Sequence, residues 1–286
     1  MTRTTTTTFQ WNKFIPDPPF LFAGTVGGPS VMLLVTPLRN ALTLAASDTK
    51  SDVRQIYRQV FQRGGWVGGV YTLIPSIPQF CVIGPLFHVW KDIFGNAQSA
   101  VLATAGCETL LAYGAETRNA QMAGSIRGKL HNPMIPFGPG VALHFTRNAL
   151  AMSGLRVLSD PCRGAFRSAI DTFGIEVDDN VQHITSDLVA NLIASAVSMP
   201  LHQLYGFTVV NAGNRDLLQP KPSLSDRIRE SRAFLRRQFL VPGTNQMSRI
   251  AWRDIVLRCS YNATIYTIFG CIERASVNLF QQRGWS

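Results

Sequence analysis

Charge is scarce in this sequence. Asp, Glu, Lys and Arg make up 15% of its 286 residues, against 46% hydrophobic residues, too little charge to coat a water-soluble surface of this size. Acids are scarcer than bases, 17 against 27, which leaves a formal net charge of +10. Paired cysteines are missing: Cys81, Cys107, Cys162, Cys259 and Cys271 are odd in number and share no spacing, which excludes a disulfide framework or a cysteine-based metal site. His88, His131, His144, His183 and His202 are equally scattered. There is no nucleophile elbow, phosphate loop or acid pair, so no catalytic residue, enzymatic activity or metal ligand is expected, and the basic stretches lack any motif that reads nucleic acid.

What the chain does have is length without charge. Residues 66–90 and 188–214 contain no Asp, Glu, Lys or Arg, and each exceeds the roughly 20 residues that cross a bilayer as helix. Four weaker spans complete a set of six: 20–46 with Arg39, 97–122 with Glu108, Glu116 and Arg118, 136–158 with Arg147 and Arg156, and 255–279 with Arg258, Glu273 and Arg274. Charges at membrane depth are tolerated where they face protein or water, so the expected architecture is a bundle around a polar centre. Buried helices of a soluble α protein are the alternative for the last three.

The connecting segments differ in character. Residues 48–63 and 221–237 are rich in Arg with acids interspersed, whereas the links near Gly95 and over 173–184 are short or acidic. In DRIRESRAFLRRQ, Ile228, Ala233, Phe234 and Leu235 alternate with arginines, the pattern of an amphipathic helix on an anionic membrane surface. The NAT sequon at Asn262 falls inside a span, and the threonine run from Thr4 to Thr8 is low in complexity.

Internal repetition organises these pieces. TPLRNAL at Thr36, YGAETRNAQ at Tyr113 and MPLHQLY at Met199 occupy corresponding places in three odd-numbered spans. After the first come an amphipathic stretch, RGGWVGGVY at Arg63, and a second span with Pro75 and Pro78 that ends FHVWK at Phe87. This layout resembles the mitochondrial carrier family. The resemblance implies an all-α membrane protein with six transmembrane helices in three pseudo-repeats and short matrix-side surface helices. It divides the chain into a tail (1–19), repeat 1 (20–95), repeat 2 (96–172), and repeat 3 with the C-terminal tail (173–286). Pro37, Gly114 and Pro200 should then stand at equivalent heights.

In that family each odd helix carries a proline, an acid two residues later and a base three further on, and acid and base of different repeats pair to close the matrix gate. Here the positions hold Pro37, Arg39 and Leu42; Gly114, Glu116 and Asn119; and Pro200, His202 and Tyr205. One pair, Glu116 with Arg39, is expected to survive, the alternative being that Arg39 snorkels or binds a lipid phosphate. At the opposite gate only Lys91 and Glu273 remain to attract each other. At the mid-membrane level the resemblance points to Arg147 and Arg258 as cavity residues, or as arginines held by neighbouring carbonyls or Glu108. The turn at Gly65, Trp66 and Gly68 matches the family's cardiolipin-binding motif, which is reduced to Phe137 and Gly138 in the second repeat and to Trp252 and Arg253 in the third. The link at Ala123, AGSIRGKLHNP, is too short for the family's surface helix.

These losses shape the functional expectation. The chain reads as a repurposed, transport-incompetent accessory subunit of a respiratory-chain complex or supercomplex in the mitochondrial inner membrane. Its partners would be the lipid bilayer and other subunits of that complex, with no cofactor beyond bound cardiolipin or another phospholipid and no nucleic acid. A divergent but working carrier of a small anionic metabolite is the alternative, and an insertase-like homologue of the outer membrane a third.

Overall fold

The computed structural model describes residues 17–126, 128–174, 177–214, 222–244 and 246–282; the threonine run lies outside them. Helix α1 (Pro18–Phe22) passes through a widened turn at Ala23–Gly27 into α2 (Gly28–Ser47), followed by α3 (Val53–Gln62), α4 (Val70–Phe94) and α5 (Ala97–Ala123). Next come α6 (Val141–Ser153), a second widened turn at Gly154–Leu158, α7 (Ser159–Phe173), α8 (Asp179–Asn214), α9 (Leu224–Phe239) and α10 (Arg249–Gln282). Among the described residues there is no strand, only one antiparallel bridge between Leu240 and Met247.

Local chemistry sets the helix limits. Asp52 and Gln55 form a reciprocal capping box at the start of α3, which satisfies two amides that a helix start leaves unpaired. Gly95, left-handed at φ 69°, ends α4, and the Asn96 side chain caps α5 by accepting from the Ser99 amide at 2.8 Å. Ser223 caps α9 at the Asp226 amide.

The long helices close into a ring in chain order. Each of α2, α4, α5, α6, α8 and α10 packs on the next, α10 returns to α2, and α2, α5 and α8 also meet one another inside. The densest core lies under α2, where Val31, Val35, Leu42 and Ala45 pack against Ile56 and Val60 of α3, Met199 of α8, and Leu257 and Tyr261 of α10.

Segments Pro18–Ser47, Val181–Asn214 and Arg249–Gln282 are long and apolar enough to cross a membrane, and Val70–Ile83 with Pro85–Phe94, bent by 45°, make a fourth if they form one span. Six were expected from the sequence. Helix α5 and the α6–α7 rod do not reach that mark; α5 carries Glu108, Glu116 and Arg118. Asn262 of the sequon is tied inside the bundle, donating to Ser195 Oγ at 2.5 Å.

Of the surface helices the family resemblance implies, α3 and α9 form, and the α5–α6 link forms none. Pro133, Pro136 and Pro139, interleaved with Gly138 and Gly140, forbid a continuous helix. The link is instead a strap folded back along α5. The Tyr113 hydroxyl donates to Pro139 O at 2.7 Å, Arg118 Nη1 to His131 O at 3.2 Å, and the His131 amide to Gln121 Oε1 at 2.6 Å. A Cβ at Gly114 would stand 2.7 Å from Ile135 O and 2.8 Å from Pro133 C, so this position needs glycine for the close approach of the strap.

A buried clamp joins the ends of three helices and the link between α2 and α3. Arg253 of α10 donates to Asp48 O at 2.7 Å, Ser51 O at 2.8 Å and Ala45 O at 2.9 Å, and pairs with Asp254 at 2.8 Å. Gln238 of α9 donates to Asp254 Oδ2 at 2.8 Å. Arg253→Met should lower thermal stability in detergent by about 3–5 kcal/mol, because Asp254 is left buried without its cation, and adding Asp254→Leu should restore part of the loss. A single-mutant loss below about 1 kcal/mol, the scale of a surface pair, would contradict the clamp.

Asp48 gives a second, pH-dependent expectation. Burial alone would push its carboxyl up, but hydrogen bonds from Ser51, Lys50 and Gln59 hold it well below the usual carboxylate range. Its folded value is depressed, so its contribution is complete above the unfolded value of about 3.9 and fades as pH falls below it. The melting-temperature gap between the native chain and Asp48→Asn should therefore be present at neutral pH and shrink in acid.

Candidate functional site

The centre of the ring is lined by side chains from six helices, those of α6, α8 and α10 in pairs three residues apart on one face. Helix α5 supplies Thr109, Glu116 and Thr117, α6 supplies His144 and Arg147, α8 supplies His202 and Tyr205, and α10 supplies Arg258 and Tyr261. Arg39 of α2 and Gln79 of α4 complete the lining. Arg39, His144, Arg147, His202, Tyr205, Arg258 and Tyr261 are all buried.

Arg147 is the hub. Its Nη2 pairs with Glu116 Oε2, its Nη1 donates to His202 Nδ1 at 2.7 Å, and its guanidinium lies 4.6 Å from the centre of the Tyr205 ring. An arginine only donates, so His202 Nδ1 is the acceptor and the ring is neutral with its proton on Nε2. His144 Nε2 meets the same Glu116 oxygen at 3.3 Å, while its Nδ1 is 3.3 Å from both the Thr109 hydroxyl and the Asn148 amide nitrogen. With an amide N–H pointing at Nδ1, His144 too is neutral and donates from Nε2 to the carboxylate. The Tyr205 hydroxyl bonds Thr117 Oγ1 at 2.8 Å, which carries the network from α8 back to α5.

Two other arginines are less well served. Arg39 Nη2 donates to Thr72 Oγ1 at 2.8 Å, but its Nε and Nη1 are buried without an acceptor. Arg258 lies 5.5 Å from the Tyr261 ring centre, its Nε is buried without a partner, and no ion pair reaches it among the described residues. Glu108 accepts from Gln79 Nε2 at 2.9 Å.

The pairings expected from the sequence are therefore corrected. Glu116 takes Arg147 as its partner rather than Arg39, because α6 presents a guanidinium to it while Arg39 turns to Thr72 of α4. Lys91 and Glu273 form no ion pair: Lys91 is exposed at the end of α4, and the cations acting on Glu273 are Arg156 and Arg274. Arg147 and Arg258 do share the centre, Arg147 held by a carboxylate. Pro37 and Pro200 lie inside α2 and α8, and His202 enters the network as an acceptor.

Gly65, Trp66 and Gly68 form a turn ahead of α4, with Gly65 at φ 58° and Gly68 at φ 75°. Asn40 Nδ2 donates to Gly65 O at 2.9 Å and Val67 O at 3.0 Å, and Asn119 Nδ2 to Val67 O at 2.8 Å and Asn40 Oδ1 at 3.1 Å. The Trp66 indole donates to Leu33 O at 2.8 Å. The amides of Val67, Gly68 and Val70 have no acceptor among the described residues. A cavity of about 270 Å³ opens beside the turn, lined by Asn40, Arg63, Gly65, Met122 and Ser125. Free amides at the start of a long helix, next to an arginine, suit a phosphate group.

Sequence reasoning missed His144, Thr117, Asn40, Gln238 and Arg253 as network members. His144, Thr117, Asn40 and Arg253 were marked only as polar residues in largely apolar helices, and Gln238, in the arginine-rich α9, by nothing in its pattern. Among the described residues no three His, Cys, Asp or Glu side chains gather as metal ligands.

Glu116→Gln should destabilise the chain by about 3–5 kcal/mol, since Arg147 loses its counter-charge in a buried site, and Glu116→Gln with Arg147→Met should cost less than the two single losses added. Additive losses in detergent melts would show that the pair is uncoupled.

No protein-family model matches this chain, and no curated protein matches it.

Proposed function

We propose that this chain is a mitochondrial-carrier-like protein of the inner membrane whose central path is locked, and that it serves as a transport-incompetent accessory subunit of a respiratory-chain complex or supercomplex. The observation that carries the reading is the buried lock of Arg147 with Glu116 and His202. A transporter alternates by making and breaking gates of nearly equal free energy. In this centre the acid of the second odd helix is bound to a neighbouring even helix, so opening the ring would strand buried charges.

The three-repeat arrangement has support in its contacts. Asn40, three positions after Pro37, bonds Asn119, five positions after Gly114; Thr117, three after Gly114, bonds Tyr205, five after Pro200. The same offset recurs between successive odd helices, as repeats related by rotation about a common axis would give. Bound phospholipid, with cardiolipin as the natural candidate, fits the open amides and Arg63 at the Gly65–Gly68 turn.

A divergent anion carrier is the second reading. It is favoured by the unpartnered nitrogens of Arg39 and Arg258, which a small anion between them would satisfy.

Gentle detergent extraction of native membranes, followed by native-gel mass spectrometry of the band holding this chain, separates the two. Migration with respiratory subunits at fixed stoichiometry, together with no uptake of phosphate or dicarboxylates by liposomes containing the pure protein, is the expected result. Migration alone, with saturable uptake abolished by Arg258→Met, would transfer the case to the carrier.

A further inference from the structure

The strap at residues 130–140 sits where a membrane-embedded bundle should present helix. It lies against Tyr113 and Gly114, and Gly114 precedes the end of α5 by about 14 Å of helix at 1.5 Å per residue. Gly140 packs beside Tyr205 and Val209 of α8, about 8 to 14 Å inside the end of that span candidate. Trp66, an interface type of residue, belongs to the turn held by Asn119; Gly114 is a further about 8 Å along α5 from that level.

Non-helical backbone at such depth persists only where protein or a water-filled cavity covers it. The strap meets part of this demand itself. Three prolines remove donors, and His131, Arg118 and Tyr113 serve the Ile135, His131 and Pro139 carbonyls. The amides of Phe137, Gly138 and Gly140 nonetheless have no acceptor among the described residues. Lipid tails cannot supply one. Water is a poor match as well, because Met134, Ile135 and Phe137 stand 85%, 46% and 63% exposed on the same surface. A surface that needs both apolar contact and hydrogen-bond acceptors is suited by protein. The chain around it carries charge of one sign: no Asp or Glu occurs between Glu116 and Asp160, and Lys129, just before the strap, is exposed.

We propose that the strap is a docking seat for a transmembrane helix of another subunit, one whose apolar face carries hydrogen-bond acceptors and ends in an acidic residue opposite Lys129. The inference rests on the accessory-subunit reading and adds which face of the ring makes the contact.

The test places a photo-crosslinking phenylalanine analogue at Met134, at Phe137 and, as lipid-facing controls, at Ile74 of α4 and Val197 of α8, in the full chain in its native membranes. Expected are adducts to one and the same polypeptide from 134 and 137, with lipid adducts at least fivefold fewer than at the controls. That polypeptide should also co-purify with the chain at fixed stoichiometry, and Phe137→Asp should abolish the co-purification without shifting the melting temperature of the isolated protein. Lipid adducts at 134 and 137 equal to those at 74 and 197, an adduct of twice the chain's own mass, or ready labelling of Phe137→Cys by a membrane-impermeant maleimide in native membranes would each overturn the proposal. If the chain still migrates within a large assembly in those cases, the accessory-subunit reading stands and only the strap's role falls; if it migrates alone, both fall.

Discussion

A guanidinium taken out of water must recover its hydrogen bonds and its counter-charge from protein, and Arg147 imposes that requirement on the centre of this ring. Glu116 supplies the charge, His202 an acceptor and Tyr205 an aromatic face. Each comes from a different turn of α5 or α8, so meeting the requirement sets the rotation of both helices against α6. His144, Thr117 and Thr109 then fall into place around the same carboxylate and hydroxyl.

The same logic operates at the lower end with different chemistry. Arg253 gathers the carbonyls of Ala45, Asp48 and Ser51, where α2 has run out of internal partners for its last turn, and Asn40 with Asn119 pins the glycine turn before α4. These contacts are side chain to backbone, which are short in range and specific in direction. A gate that opens needs pairs that separate without leaving buried groups unpaired, and side chains that satisfy helix ends and turns cannot do that cheaply. On the proposed reading, the polar interior of this protein is a framework more than a path. The two partly served arginines, Arg39 and Arg258, are the exceptions within it.

Much of the architecture was legible from residue patterns. The charge-free stretch 188–214 lies within α8, the stretch 66–90 runs from the Gly65–Gly68 turn into α4, and the arginine-rich α9 is helical as its pattern indicates. The shortness of the second link foretold that no surface helix would fill it, though not that the link would fold back along α5. The pairing of Glu116 was misread. Both Arg39 and Arg147 are cations in apolar surroundings, and position in a repeat does not say which of them points at the carboxylate; that depends on how far each helix is rotated about its axis.

What the amino-acid sequence determined by itself is the helical character of the long apolar stretches and the scarcity of charge that confines polar groups to one interior, because hydrophobic length and charge spacing act within a few residues of one another. The limits were not among it, since the stretch read as 136–158 is α6, a widened turn and an α7 that runs on to Phe173. What only the tertiary structure decided is who meets whom: Arg147 with Glu116 and His202, Arg253 with three carbonyls, the strap with Gly114. Those meetings join residues far apart in the chain, and a rotation of one helix by a single residue, about 100°, would exchange every partner on its face.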